Sequence, residues 1–415
     1  MFQKYNPGRK NLTNPIKEQN SNSDRKSKPL WIGTVIVVVA LLLILGATGI
    51  KKEYDARKPI DGFTAFLPDT DICSIALFKG DVWAGGVDGL FVLRGIKDFQ
   101  EEEAKSNQYY GKKQIYKSEE IGNYRYVKAV LSDGKRIWVG HDRGLTLIEG
   151  SKIIDFTDKN GLPDRRVNAL CLDSKGTLWV GTWGGVVTMK NMNVEKTYTT
   201  KDGLIADMVN VIKEDSTGGM WFGSYVAPRG GISVFYNNKW QRFSTGEGLI
   251  HANINAITEL NDKSILTGGG LYTKGGGTRF IHEGGSWKIK GYLQKEDGLA
   301  GAKIRSLMQD SKSRIWVGSE YEGLAVLKQI GENELNKALN NGASQAGNNA
   351  ISRSGENRVS QEEKSGASTV ENNGEMQSEI LTKKTGLPDN EVKVIVEAPD
   401  KSVWVGTRNG IVRIE

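Results

Sequence analysis

From Val167 to Met189 the chain reads VNALCLDSKGTLWVGTWGGVVTM. Three apolar stretches, each too short for a helix, alternate with clusters of Asp, Ser, Lys and Gly, the pattern of antiparallel strands joined by tight turns. The phrase recurs. ICSIALFKGDVWAGGVDGLFVL begins at Ile72, YVKAVLSDGKRIWVGHDRGLTLI at Tyr126 and MVNVIKEDSTGGMWFGSYVAPRGGISVF at Met208. INAITELNDKSILTGGGLY follows at Ile254, AKIRSLMQDSKSRIWVGSEYEGLAVL at Ala302 and VKVIVEAPDKSVWVGTRNGIVRI at Val392, so the phrase is written seven times. Trp83, Trp138, Trp179, Trp221, Trp316 and Trp404 anchor the second stretch, and Leu266 stands there in the fifth copy.

A fourth stretch follows most copies, such as KIIDFTD after Ile148, EKTYTT after Met189 and KWQRFST after Phe235. Four strands in a unit of roughly 40 to 45 residues is the pattern of a propeller blade. One small sheet cannot bury both its faces, so the units must stack around an axis. The expected fold is all-β: a seven-bladed β-propeller of four-stranded antiparallel blades. Asp88-Gly89, Arg143-Gly144, Gly184-Gly185, Gly230-Gly231, Glu322-Gly323 and Asn409-Gly410 precede third strands, where a tight hairpin needs positive φ. Asp133, Asp173, Asp215, Asp310 and Asp400 fall in the turn between first and second strands, where an Asx side chain bonds its own backbone. One carboxylate per turn is too few for calcium, and no metal site is expected.

GLPDRRVNALCLDSKGTLWVGTWGG, with GLPDNEVKVIVEAPDKSVWVGTRNG as the next clearest copy, resembles the two-component regulator propeller repeat. That family is best known from extracytoplasmic sensor regions of bacterial hybrid histidine kinases, where long arrays precede a small sandwich domain, a membrane span and a kinase. The resemblance runs from Phe63 to Glu415 apart from one insert, and implies a sensor-type propeller. This chain departs from the pattern with one ring's worth of repeats, a membrane span that comes first and no kinase, receiver or DNA-binding segment. It is expected not to signal through a catalytic domain of its own.

The last copy ends on a third strand, Gly410 to Glu415, whereas Gly62-Phe63-Thr64-Ala65-Phe66-Leu67-Pro68-Asp69 reads like a fourth strand and crossover placed ahead of the first copy. Phe63 to Leu67 is therefore expected to form the outer strand of the last blade and latch the ring. Ahead of it, LWIGTVIVVVALLLILGATGI, Leu30 to Ile50, is uncharged and long enough to span a bilayer. A cleavable signal peptide is the alternative, with Ala47-Thr48-Gly49 as its cleavage site, but the apolar core and the preceding tail are both long for one. The organisation read from this is a basic cytoplasmic tail at 1–29, a transmembrane signal-anchor helix at 30–50, a juxtamembrane linker at 51–61 and the propeller at 62–415. Positive residues before the span favour a bacterial inner-membrane protein, single-pass, with its N-terminus cytoplasmic and its propeller periplasmic.

The formal charge of +7 is concentrated in that tail, where Lys4, Arg9, Lys10, Lys17, Arg25, Lys26 and Lys28 face Glu18 and Asp24. The near-balanced remainder gives no electrostatic reason to bind nucleic acid. The tail suits anionic lipid headgroups. Cys73 and Cys171 occupy different positions in non-neighbouring copies, so no disulfide is expected and both read as small buried side chains. Residues 329–379, rich in Asn, Ser, Gly, Glu, Gln and Lys, cannot bury enough surface to order themselves and read as a disordered insert within the sixth blade. It leaves the face opposite the hairpins that join second and third strands. A smaller insert, Lys97 to Tyr124, leaves the first blade on the same face, with Tyr109, Tyr110 and Tyr116 available to cover the ring's underside.

Propellers present their second-to-third hairpins around the mouth of the axis. The rim candidates there are His141, Asp142, Arg143, Trp183, Tyr225, Arg229, Tyr272, Glu320, Tyr321 and Arg408, with Glu322 and Asn409 beside them. Gly, Ser, Thr and Asn would suffice for turns, so aromatic and charged residues in several blades point to stacking on a carbohydrate or grasping a peptide. No catalytic residues and no cofactor are expected. His141, His251 and His282 lack metal-ligand spacing, GGGLYTKGGGTRF from Gly268 lacks the strand-to-helix context of a phosphate cradle, and no nucleophile elbow appears. The strongest catalytic alternative pairs Asp142 with Glu320 or Glu322 as acid and base of a polysaccharide lyase or hydrolase. The expected function is a ligand- or protein-binding, sensor-like module with a membrane or envelope protein partner, and the runner-up is a scaffold for an envelope complex.

Overall fold

Seven antiparallel sheets, one per copy of the phrase, make up the ring. The structure, a computed structural model, describes residues 62–94, 124–328, 368–370 and 377–415. The tail, the span expected at Leu30 to Ile50 and the linker therefore lie outside the described residues, as do Tyr109, Tyr110 and Tyr116. Among the described residues no helix is long and apolar enough to cross a membrane.

Each blade starts innermost. In blade 3, Val167–Leu172 pairs with Leu178–Thr182, which pairs with Gly185–Lys190, which pairs with the outer Asn193–Tyr198. Blades 2, 4 and 5 repeat this order, while blade 1 has three strands among the described residues. Innermost strands contact one another in sequence from blade 1 to blade 7, and Val392–Glu397 of blade 7 contacts Ile72–Phe78 of blade 1, closing the circle. Phe63–Phe66 pairs antiparallel with Gly410–Ile414 as the outer strand of blade 7, the latch the sequence predicts. Phe66 stacks on Trp404 at 5.2 Å and is buried together with Leu67.

The Trp-Val-Gly glycine has a role at every junction. A Cβ on Gly85, Gly140, Gly223, Gly268, Gly318 or Gly406 would strike a β-branched residue that opens the next blade, respectively Val127, Val167, Ile254, Ile304, Val392 and Ile72, and one on Gly181 would crowd Val209 at 3.1 Å. Blades therefore approach more closely there than a side chain allows. The rest of the interface is apolar packing, as in the cluster of Trp138, Leu145, Leu147, Phe156, Leu162, Val167 and Val180 between blades 2 and 3.

The turn aspartates do more than close turns. Asp133, Asp173, Asp215 and Asp310 each accept hydrogen bonds from turn N–H groups and, through the second oxygen, from the indole of Trp138, Trp179, Trp221 or Trp316 at 2.7–3.0 Å. Blades 5 and 7 have a shorter turn, Asp262-Lys263-Ser264 and Asp400-Lys401-Ser402. There the carboxylate bonds the serine, and a buried arginine of the third strand, Arg279 or Arg413, takes its other oxygen. The indole Nε1 of Trp404 is left without a partner among the described residues, and Phe66 stacks on its ring instead.

Blade 6 departs from the expected organisation. The fourth strand, Gln377–Leu381, stands where the repeat resumes at the end of the insert, but Ser368–Val370, inside the segment read as a disordered insert, pairs outside it as a fifth. The remainder of that segment lies outside the described residues.

Candidate functional site

The outer strand of a blade reaches the next innermost strand through a short crossover. Thr157, Ser244 and Thr382 cap single 3₁₀ turns there, and a buried leucine follows each turn, Leu162, Leu249 and Leu387. Crossovers and second-to-third hairpins thus share one face of the ring, here called the mouth face. First-to-second turns and third-to-fourth hairpins share the other, the turn face.

All exposed Phe, Trp and Tyr residues among those described lie on the mouth face: Tyr126 (48 %), Trp183 (41 %), Tyr272 (72 %) and Tyr321 (54 %). Trp183 is held as a platform. The Arg166 guanidinium stacks 4.0 Å from its ring centroid, Asp164 fixes that guanidinium with two hydrogen bonds, and the indole donates to Asn168 Oδ1 at 3.3 Å. The same arginine bonds hold the Asp164 carboxyl below the usual carboxylate range. Tyr225 is half-buried, its hairpin tied to the crossover by a bridge to Asn253, whose Oδ1 accepts from the Ala227 N–H at 2.7 Å. Arg143, Arg229 and Arg408 are exposed on the hairpin tips.

Two rim expectations are corrected. His141 is buried: its Nδ1 accepts from the Arg143 N–H at 3.2 Å, and its Nε2 lies 3.0 Å from Thr146 Oγ1. The Thr146 hydroxyl donates to Asp155, so Nε2 carries the imidazole proton and the ring is neutral. Burial lowers the His141 pKa to about 4, with Asp155 and Asp142 opposing. The side chain is structural and does not reach the rim. Glu320 is not a free rim carboxylate either: it pairs with buried Lys303 and lies 3.5 Å from Arg305. Burial raises its pKa, but the hydrogen bonds from Lys303 and Tyr321 and the charge of Arg305 outweigh it and keep the group ionised. Its bond to Tyr321 pushes that phenol up to about 12. An ionised, ion-paired Glu320 is unsuited to the proton-donating half of the Asp142 pair.

The sequence reading missed a second tier below the rim. In six blades a β-bulge follows the first residue of the innermost strand, and the bulged residues are Cys73, Asn168, Asn210, Asn255, Arg305 and Lys393. Lys128 holds the matching position in blade 2. A bulge turns its extra side chain out of the ladder. Here it leaves polar residues, and one cysteine, at the mouth behind the Val or Ile that packs between blades. Asn168, Asn210 and Asn255 donate to Val209 O, Ile254 O and Ile304 O of the next blade. The other arc is basic, with Lys393 held by Asp71 at 2.6 Å and Lys128 at 3.9 Å from the Cys73 thiol. Both cysteines are free and half-buried, and burial raises both thiols. The available signal was the residue that follows the first Val or Ile of each copy's innermost stretch, polar or Cys in all seven copies.

Taken together, the sheets, their circular order and the glycine junctions define a seven-bladed, repeat-built propeller. Three segments, residues 161–184, 298–321 and 386–409, match the family model of the two component regulator propeller. No curated protein matches it. Among solved structures, one that is similar is the extracellular domain assigned to the hybrid two component system BT3049 from B. thetaiotaomicron, at 17 % identity and a TM-score of 0.58, covering 85 % of this chain and 41 % of that one. Virginiamycin B lyase from Staphylococcus aureus aligns at 12 % identity and a TM-score of 0.54, covering 85 % of this chain and 98 % of that one. PorZ, a surface component of the type-IX secretion system of Porphyromonas gingivalis, aligns at 13 % identity and 0.50, covering 83 % and 46 %. The chain thus spans about two-fifths of the sensor-system domain, and at these identities the likeness is one of fold.

Proposed function

We propose that this chain is a membrane-anchored, extracytoplasmic propeller that binds a ligand or a protein on its mouth face and acts with a separate partner. The observation that carries the reading is the confinement of Tyr126, Trp183, Tyr272 and Tyr321 to that one face, around a polar second tier. Exposed aromatics beside arginines are the residue types that dominate recognition surfaces. The apolar run at Leu30 to Ile50 supports the anchor, and the extracellular location of the B. thetaiotaomicron domain supports the compartment. A planar platform such as Trp183 on Arg166 suits a sugar ring or a peptide group.

Binding without turnover is the reading favoured here. The lyase from S. aureus shares the fold, yet in this chain the Glu320 carboxylate is held by Lys303 and Arg305. Photo-crosslinking groups at positions 183, 272 and 321, compared with 175 and 312 on the turn face, test the proposal in native membranes. Capture of a defined sugar, peptide or protein from the mouth-face positions alone is expected. Equal capture from both faces sinks the reading, and turnover lost in Asp142→Asn would favour the enzyme instead.

A further inference from the structure

The turn face carries a positive ring. Lys79, Lys135, Lys175, Lys263, Lys312 and Lys401 are exposed in the first-to-second turns of six blades, and Lys213, beside the turn of blade 4, completes one lysine per blade. Lys263 lies 3.7 Å from Glu259, whereas Lys135, Lys175, Lys213, Lys312 and Lys401 have no ion pair among the described residues. Acidic residues of these turns do not balance them outwardly, because each carboxylate is engaged by its own turn and by a tryptophan or arginine. Exposed carboxylates at the outer edge of this face include Glu149, Glu283, which lies 3.7 Å from Lys288, and Glu415, which is paired with Arg413 at 2.7 Å. Met192, on the outer hairpin of blade 3, is 40 % exposed on the same face.

The chain also enters the ring on this face. Phe63 pairs with Ile414, which pairs with Val403 at the end of the blade 7 turn, and Gly62 O accepts from the Glu415 N–H at 3.0 Å. From Ile50 to Gly62 there are eleven intervening residues, a reach of at most about 40 Å. We propose that the turn face docks on an anionic lipid surface through this lysine ring, leaving the mouth face directed away from the bilayer. The inference rests on the anchored reading above. Lysines clustered near a bilayer are attracted by acidic headgroups, and the attraction fades within a Debye length.

The full chain, reconstituted in vesicles of phosphatidylcholine with or without phosphatidylglycerol, provides the test by lysine acylation read residue by residue in a mass spectrometer. Lys135, Lys175, Lys312 and Lys401 are expected to react several-fold more slowly with phosphatidylglycerol present, and to recover in about 0.5 M salt. Lys201 and Lys274, on the mouth face, should not respond. A quadruple variant, K135E/K175E/K312E/K401E, should lose the protection at Lys79 and Lys213, and its circular dichroism checks that it folds. Equal reactivity in both vesicle types overturns the proposal. Protection in native membranes but not in phosphatidylglycerol vesicles also overturns it, in favour of a protein partner. Alkaline extraction reads the anchor separately: release of the chain defeats the anchored reading, while headgroup-dependent protection still reports on the face.

Discussion

Replacing Phe66 by Ala tests whether the ring is closed by its N-terminal strand. Phe66 is buried, stacks on Trp404 at 5.2 Å, and belongs to a cluster that joins Leu67, Ile72, Trp404 and Ile411 across blades 7 and 1. Removing a buried phenyl ring that cannot be refilled costs about 3–5 kcal/mol. A domain of ordinary stability holds only about 5–15 kcal/mol, so one side chain controls a large share of it. Phe63, partly buried against the other side of blade 7, should cost less when cut to Ala. Urea unfolding of the two variants, followed by tryptophan emission, measures the difference. Deleting residues 62–67 removes the strand paired with Gly410–Ile414 and exposes that edge, which should add concentration-dependent association. If Phe66→Ala shifts stability by less than about 1 kcal/mol, the strand decorates the ring without closing it.

Three further outcomes follow from the geometry. His141 has a folded pKa of about 4 against 6.5 when unfolded, so the unfolded chain takes up the proton first as pH falls. Its contribution, on the order of 3 kcal/mol, is present above pH 6.5 and lost between 6.5 and 4, and His141→Asn should flatten thermal melts across that window. Asp215→Ala strands the buried Trp221 indole and two turn N–H groups, and a loss of about 3 kcal/mol or more is expected in urea unfolding. Gly223→Ala places a Cβ 2.6 Å from both Ile254 and Val211, and the overpacking should cost about 1–3 kcal/mol by the same assay.

The fold was legible because its rules repeat. Trp and Gly recur at a fixed offset, a turn Asp precedes them in six blades, and each contacts something at the same place in most blades. The latch was legible because a fourth strand was missing at one end and present at the other. The site was harder to read, since exposure depends on what the chain does next. His141 and Arg143 are two residues apart on one hairpin, yet the imidazole turns inward to Thr146 while the guanidinium is exposed. Lys303, a crossover residue the motifs do not mark, is buried against Glu320. The bulged residues escaped notice because strict alternation assigns them to a face, and a bulge is an extra residue that alternation does not count.

Turn length explains why blades 5 and 7 differ from the others. In blades 3, 4 and 6 six positions separate the turn aspartate from the tryptophan, and in blade 2 five do, which lets the carboxylate reach the indole. With four positions, as from Asp400 to Trp404, the carboxylate turns to Ser402, and a cation must come from the third strand. Arg413 and Arg279 fill that role at nearly complete burial, each in a blade with the shorter turn. Arg413→Met would therefore destabilise blade 7, whereas the equivalent change to Val234 or Val326 of blades 4 and 6 meets no carboxylate at all. Restoring a six-position turn in blade 7 should relieve the dependence: urea unfolding of Arg413→Met in that background would cost less than in the natural chain. An equal cost in both would show that Arg413 answers some need other than the orphaned turn.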